Sequence, residues 1–206
     1  MKNHFDEVAR QWDQNKVHLE RTRAIADAVL QEGLLIPGSR GLEFGAGTAL
    51  LSIVLNEHFR EIVLVDSSAE MLKVTAEKLS REELHHLHPR LMDIEKGDPE
   101  AGSYDVVFSQ MALHHIRDIG ALLPVLHQML NPGGRLIIAD LYPEDGSFHD
   151  HQDYVHQGID PEVLSQGLQN HGFSGVAYRE CYRIRRENES GIKEFPVFLL
   201  WAQKQA

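Results

Sequence analysis

Residues 40–52, Arg-Gly-Leu-Glu-Phe-Gly-Ala-Gly-Thr-Ala-Leu-Leu-Ser, constrain the fold of this 206-residue chain more than any other stretch. A short apolar run, Leu42 to Phe44, ends in Gly45-Ala46-Gly47, and a helical pattern follows at once. Strand, tight turn and helix N-terminus follow one another directly, and glycines in such a turn let backbone approach a ligand because no Cβ blocks the way. The next apolar run, Ile62-Val63-Leu64-Val65, ends in Asp66, 19 residues past Gly47 (66 − 47). In a βαβ unit an acid at that offset accepts hydrogen bonds from ribose hydroxyls.

The alternation continues along the chain. Residues 4–32 are helical in pattern, with a break at 15–18: Phe5, Val8, Ala9 and Trp12 share one face, and Ala24, Ile25, Ala28 and Val29 form a second stripe. Gly33 suits a helix C-cap. Helices are expected over 48–57, from Ser67 or Ser68 to 79, over 118–130, and from the Asp160-Pro161 start signal onward. Strands are expected at 61–66, 87–92, 104–109 and 135–140, with β-rich stretches at 175–185 and 195–203. A polar, His-rich loop spans 141–159. Strands separated by helices imply a mostly parallel sheet covered on both faces, an α/β doubly wound architecture. The last two strands have no helix between them and should pair antiparallel, reversing the final strand of a seven-stranded sheet. Residues 1–206 read as one domain, with 1–35 a helical addition over the ligand cleft and 36–206 the Rossmann-like core.

Two ligand classes fit a glycine turn plus a ribose acid. A dinucleotide site needs Gly-x-Gly-x-x-Gly, but Leu50 stands three residues past Gly47. Glu43 precedes the turn by two residues, and a carboxylate there disfavours a pyrophosphate and favours a cationic ligand. S-adenosylmethionine carries ribose and adenine, no phosphate, a sulfonium and an ammonium, and suits these residues better. Glu43-Phe-Gly-Ala-Gly-Thr-Ala49 resembles motif I of the class I S-adenosylmethionine-dependent methyltransferases, Asp/Glu-x-Gly-x-Gly-x-Gly, with Ala49 in place of the third glycine. The resemblance covers roughly residues 35–203 and is nearest to the small-molecule enzymes similar to those of ubiquinone and menaquinone biosynthesis.

That resemblance implies a set of cofactor-binding residues. Glu43 would hold the methionine amino end, and Gly45, Ala46 and Gly47 would form the loop beneath the cofactor. Asp66 would bind the ribose, and Ser67 and Met71 would flank the adenine. Asp93 would accept from the adenine amino group, with the Ile94 amide on a ring nitrogen, and the carbonyls of Ser109 and Gln110 would face the cofactor. The family reads Leu-His-His after the fourth strand, which here is Leu113-His114-His115. His114 or His115, with His149 from the loop after the fifth strand, are the candidate catalytic bases. Tyr154 and His156 belong to the expected acceptor side, and Phe5 and Trp12 to a lid.

The net charge of −11 argues against broad phosphate binding, so a small-molecule acceptor is expected rather than nucleic acid. Arg179, Arg183, Arg185 and Arg186 are the dense basic candidates against that reading. No apolar run reaches membrane-spanning length, and the single cysteine, Cys181, fits a reducing compartment, so a cytoplasmic monomer or homodimer is expected. Histidines at 85, 86, 88, 114, 115, 149 and 151 lack the acids or cysteines at fixed spacing that most metal sites use, and no metal is expected. An RNA or protein methyltransferase, a nicotinamide-dependent oxidoreductase and a non-catalytic cofactor-binding regulator are the competing readings. Whether O, N, S or C receives the methyl group stays open at this level.

Overall fold

The computed structural model describes residues 4–96, 101–148, 156–188 and 191–205. Its strands are β1 Ser39–Phe44, β2 Phe59–Asp66, β3 Leu87–Leu91, β4 Tyr104–Gln110, β5 Leu130–Leu141, β6 Phe173–Asn188 and β7 Gly191–Lys204. They form one sheet in the order β3-β2-β1-β4-β5-β7-β6. Strands β1 to β5 run parallel, and β7 runs antiparallel to both β5 and β6. The reversal follows from the direct β6–β7 connection, since parallel neighbours need a crossover element between them.

The helices are α1 His4–Val8, α2 Lys16–Gln31, α3 Leu50–Leu55, α4 Ala69–Arg81, α5 Ile119–Met129 and α6 Pro161–Asn170. One core layer joins Ile25 and Val29 of α2, Leu51 of α3 and Leu79 of α4 to Ile62, Leu64, Phe108 and Ile137 of the sheet. The opposite layer joins Leu122 and Leu126 of α5 and Leu164 of α6 to Val63, Val65, Val107 and Ile138. Successive residues of each central strand therefore feed opposite cores, which is why those strands read as unbroken apolar runs. Helices α2, α4, α5 and α6 are capped by Asn15, Ser68, Asp118 and Asp160, each accepting from a first-turn amide. Each such cap stabilises its helix by about 1 kcal/mol.

Three boundaries differ from expectation. Helix α3 starts at Leu50 rather than 48, because Ala49 sits in the left-handed region at φ 61° and the helix cannot begin before it. The Asn131-Pro132-Gly133-Gly134 turn lies inside β5, which starts at Leu130, and the register against β4 shifts there. Strands β6 and β7 outrun the apolar stretches that signalled them, since their outer ends pair through charged residues such as Arg185 with Glu194. His149, His151 and Tyr154 lie outside the described residues. No helix among the described residues is long and apolar enough to cross a membrane. The parallel strands all end on one side of the sheet, the side where open α/β sheets bind ligands.

Candidate active site

The turn after β1 is built by its glycines. Gly45 and Gly47 have φ of 62° and 54°, a region that costs L-residues energy. A Cβ on Gly45 would stand 2.3 Å from the Ala112 Cβ, so the loop after β4 packs directly on this glycine. A Cβ on Gly47 would meet nothing within 4 Å, so the backbone there faces open space. The turn is tied to the end of β2: Ala46 donates its amide to the Val65 carbonyl at 3.0 Å, and Gly47 donates its amide to Asp66 Oδ2 at 2.7 Å. Asp66 Oδ1 accepts from the Ser68 amide at 2.8 Å. Burial raises the Asp66 pKa above the usual carboxylate value despite these donors.

Glu43, the penultimate residue of β1, lies beneath the turn and is wholly buried. Its Oε2 accepts from the Ser52 amide at 3.2 Å and from the Ser52 hydroxyl, whereas Oε1 finds no hydrogen-bond partner among the described residues. Burial, the leading cause, pushes its pKa up to about 8, with Asp66 adding to the rise and Ser52 opposing it. A buried carboxyl with one bare oxygen, beside an open glycine turn, is arranged for a cationic group to dock.

The other expected cofactor residues lie around the same strand ends. Asp93 follows β3, with Oδ1 on the Glu95 amide at 3.1 Å and Oδ2 on Lys96 Nζ at 2.7 Å. Its partial burial raises the pKa, but the Lys96 and Glu95 contacts outweigh this and leave it lowered. Ile94 is buried in the second core layer, Met71 is buried within α4, and Ser67 is exposed at the rim. Ser109 and Gln110 close β4: the Ser109 hydroxyl is buried without a partner among the described residues, and Gln110 Oε1 accepts from Thr22 Oγ1 of α2 at 3.1 Å.

A second buried acid stands at the end of β5. Asp140 is fully buried and accepts from the amides of Leu113 at 2.8 Å, His114 at 3.3 Å and Leu141 at 2.7 Å. Its Oδ1 also meets His114 Nδ1 at 2.6 Å. Burial raises the Asp140 pKa, but the His114 interactions and the Leu141 amide outweigh it and hold the carboxyl below its usual value. An ionised carboxylate only accepts, so His114 Nδ1 carries a proton on the side of Asp140, and the Nε2 atom is itself buried. His115 lies against His114 with the rings tilted by 44° at 4.1 Å and meets Phe5 edge-on at 5.1 Å. Met111, at φ 53°, turns the chain from β4 into this His-His turn.

The N-terminal segment rests on these loops. Asp13 accepts from Thr48 Oγ1 at 2.6 Å and pairs with Lys78 Nζ at 2.7 Å, while Asp6 accepts from Ser68 Oγ at 2.6 Å. Phe5 and Trp12 meet edge-on at 6.0 Å. The Asp13 and Asp6 latches were not visible in sequence, because each pairs residues more than 30 positions apart. The role of Asp140 did have a signal, since it lies in the last two residues of an apolar strand as Glu43 and Asp66 do.

Three of the four arginines in the candidate basic patch are paired with glutamates. Arg179 pairs with Glu32, Arg183 with Glu180 and Glu194, and Arg185 with Glu194, while Arg186 lies over the Phe148 ring. Among the described residues no group of three or more His, Cys, Asp or Glu is placed to hold a metal ion.

Known proteins resemble this chain in sequence and in fold. Residues 42–136 match the methyltransferase domain family. An uncharacterized methyltransferase of Schizosaccharomyces pombe is 31% identical over 138 residues, covering 64% of this chain and 46% of that protein. A ubiquinone biosynthesis O-methyltransferase of Bradyrhizobium is 32% identical over 107 residues, covering 52% of this chain and 41% of the relative. The chain thus spans less than half the length of either relative. In structure, a Haloferax volcanii methyltransferase solved with the Trm112 methyltransferase activator superposes with a TM-score of 0.80 at 17% identity, over 100% of both chains. The chain is thus similar to methyltransferases in the sequence of residues 42–136 and in its overall fold.

Proposed function

We propose that this chain transfers a methyl group from S-adenosylmethionine to a small-molecule acceptor. The observation that carries the reading is Glu43, a wholly buried carboxyl with one unpartnered oxygen directly below the glycine turn. An ammonium would favour the ionised form of this acid and pair with its bare oxygen, and a pyrophosphate would not. In this reading Glu43 receives the ammonium, Gly45, Ala46 and Gly47 supply backbone, and Asp66 takes the ribose hydroxyls. Asp93, the Ile94 amide, Ser67 and Met71 bound the adenine, and the carbonyls of Ser109 and Gln110 complete the wall. When bound, S-adenosylmethionine supplies an electrophilic methyl group on a sulfonium.

The rest of the chemistry falls to the chain's own residues. Methyl transfer is an in-line displacement, so alignment and exclusion of water do most of the work. Helix α1 and residues 9–14 exclude water as a cover over the cleft, the role expected for residues 1–35. His114 Nε2 takes the acceptor's proton, and Asp140 is the positioning residue that keeps Nδ1 protonated and the ring fixed. His115, packed on both His114 and Phe5, shapes the wall beside it. The full-length likeness to the Trm112-bound Haloferax protein makes an activator of that kind the partner to test first by co-expression.

Calorimetric titration with S-adenosylmethionine and S-adenosylhomocysteine tests the reading. Wild type is expected to bind both, and Asp66→Ala to lose about tenfold or more through the ribose hydrogen bonds. With an acceptor in hand, His114→Gln is expected to lower kcat about a hundredfold or more at unchanged cofactor affinity. Failure of wild type to bind either ligand would remove the proposal.

A further inference from the structure

Arg21 is a buried cation with no counter-ion contact among the described residues. It lies on the inward face of α2 with Thr22, Ile25 and Ala26, and only 6% of it is exposed. Its Nε has no hydrogen-bond partner among the described residues, and no carboxylate there pairs with its guanidinium. The anion nearest in effect is Asp140, whose oxygens are already taken by three amides and His114 Nδ1. Arg186 lies close enough to repel Arg21, and Tyr182 close enough to be felt by it. Burial pushes the Tyr182 phenol above its ordinary value, so it gives Arg21 no anion at neutral pH.

Burying an uncompensated guanidinium costs several kcal/mol, so its retention calls for a ligand that supplies the missing charge. Arg21 remains charged: burial lowers its pKa only to about 10. His18, one turn earlier, is kept neutral, with its pKa lowered to about 4 by burial first and by Arg21 next. The position is also right for an acceptor. The neighbouring Thr22 is bonded to Gln110 at the end of β4, and Arg21 feels the charge of Asp140, the partner of His114.

We propose that the methyl acceptor carries an oxyanion, a carboxylate or a phosphate, and that the Arg21 guanidinium binds it beside the His114–Asp140 pair. This rests on the methyl-transfer reading above. The planar fork of an arginine matches either oxyanion through paired N–H bonds. A chain of net charge −11 repels anions in general, so a buried cation is needed to admit one.

The test uses the full chain saturated with S-adenosylhomocysteine, with thermal midpoints read against acetate, succinate and inorganic phosphate at matched ionic strength, and chloride as control. Wild type is expected to rise with at least one oxyanion and not with chloride. A response to the carboxylates alone marks a carboxylate acceptor, and a response to phosphate alone marks a phosphate. Arg21→Met is expected to lose the response and, without any anion, to melt above wild type because an unpaired buried charge is gone. Arg21→Lys keeps the charge but not the fork, and is expected to bind the oxyanion about tenfold more weakly. No response in wild type, an equal response in Arg21→Met, or a lower midpoint in Arg21→Met with no anion dependence in Arg21→Lys would overturn the inference. S-adenosylhomocysteine binding separates the two failures: if wild type binds it without any oxyanion response, only this inference falls, and if wild type does not bind it, the methyl-transfer reading falls as well.

Discussion

At the scale of single residues, Glu43 makes the sharpest prediction. Its carboxyl holds a proton up to about pH 8 in the folded chain, against a reference value of 4.5. Between those values the folded state binds more protons than the unfolded one, so this group lowers stability as pH rises from 4.5 to 8. Glu43→Gln removes that dependence and is expected to raise the ligand-free midpoint above pH 8 while leaving it unchanged near pH 4. A cationic ligand works the other way on wild type: it favours the carboxylate and releases the proton. Titration of S-adenosylmethionine at pH 7 in two buffers of different ionisation enthalpy should therefore show proton release in wild type and none in Glu43→Gln. Identical heats in both buffers for wild type would mean the ammonium does not meet this acid. Glu43, Gly45, Gly47 and Asp66 were legible in sequence because local chain order fixes them: each lies in the last two residues of a strand or makes the turn after it. Ala49 was legible as a departure from the glycine pattern, and its φ of 61° gives the physical reason a glycine is usual there. Arg21 was not singled out, although an arginine at the i−4 position of the Ile25 stripe is a signal in its own right.

At the scale of elements, helices and parallel strands could be read from periodicity, whereas the contacts that seat α1 and residues 9–14 could not. Those contacts are polar and long-range: Asp13 to Thr48 and Lys78, Asp6 to Ser68, Phe5 to His115. No local pattern encodes such pairs. The same holds for the insertion of β7 between β5 and β6, which depends on the docking of a whole hairpin. Asp13 is the hub of the N-terminal contacts, since its two oxygens serve the glycine loop and α4 separately. Asp13→Ala is expected to destabilise the chain by about 1–2 kcal/mol, the scale of partly buried charged hydrogen bonds. More tellingly, amide exchange over residues 4–14 should accelerate and S-adenosylhomocysteine should dissociate faster, while the exchange of α5 and α6 stays as in wild type. If exchange in residues 4–14 is unaltered, Asp13 does not hold the cover down.

At the scale of the whole molecule, the open sheet has two edges, and an unprotected edge invites pairing with a second chain. The β6 edge is guarded by charge: Arg183 and Arg185 face it with their partners Glu180 and Glu194. The β3 edge is guarded by a different device. The His86 carbonyl accepts from the Ile62 amide at 2.9 Å and the Met92 amide donates to the Asp66 carbonyl at 3.0 Å, so even-numbered residues of this stretch turn their backbone groups toward β2. Leu87, Pro89 and Leu91 turn theirs outward, and the central one of the three has no N–H to offer. Leu91 is 62% exposed at the end of the same strand, so apolar surface for an added strand is present and the missing donor is what opposes pairing. Pro89→Thr restores the donor in a residue suited to strands, and one backbone hydrogen bond is worth about 0.5–1.5 kcal/mol, up to roughly tenfold in an association constant. Sedimentation at matched concentrations is expected to show more dimer and higher oligomer in Pro89→Thr than in wild type, with unchanged thermal midpoint for the monomer. Equal sedimentation of the two would mean that the short length of β3, rather than its proline, keeps this edge closed.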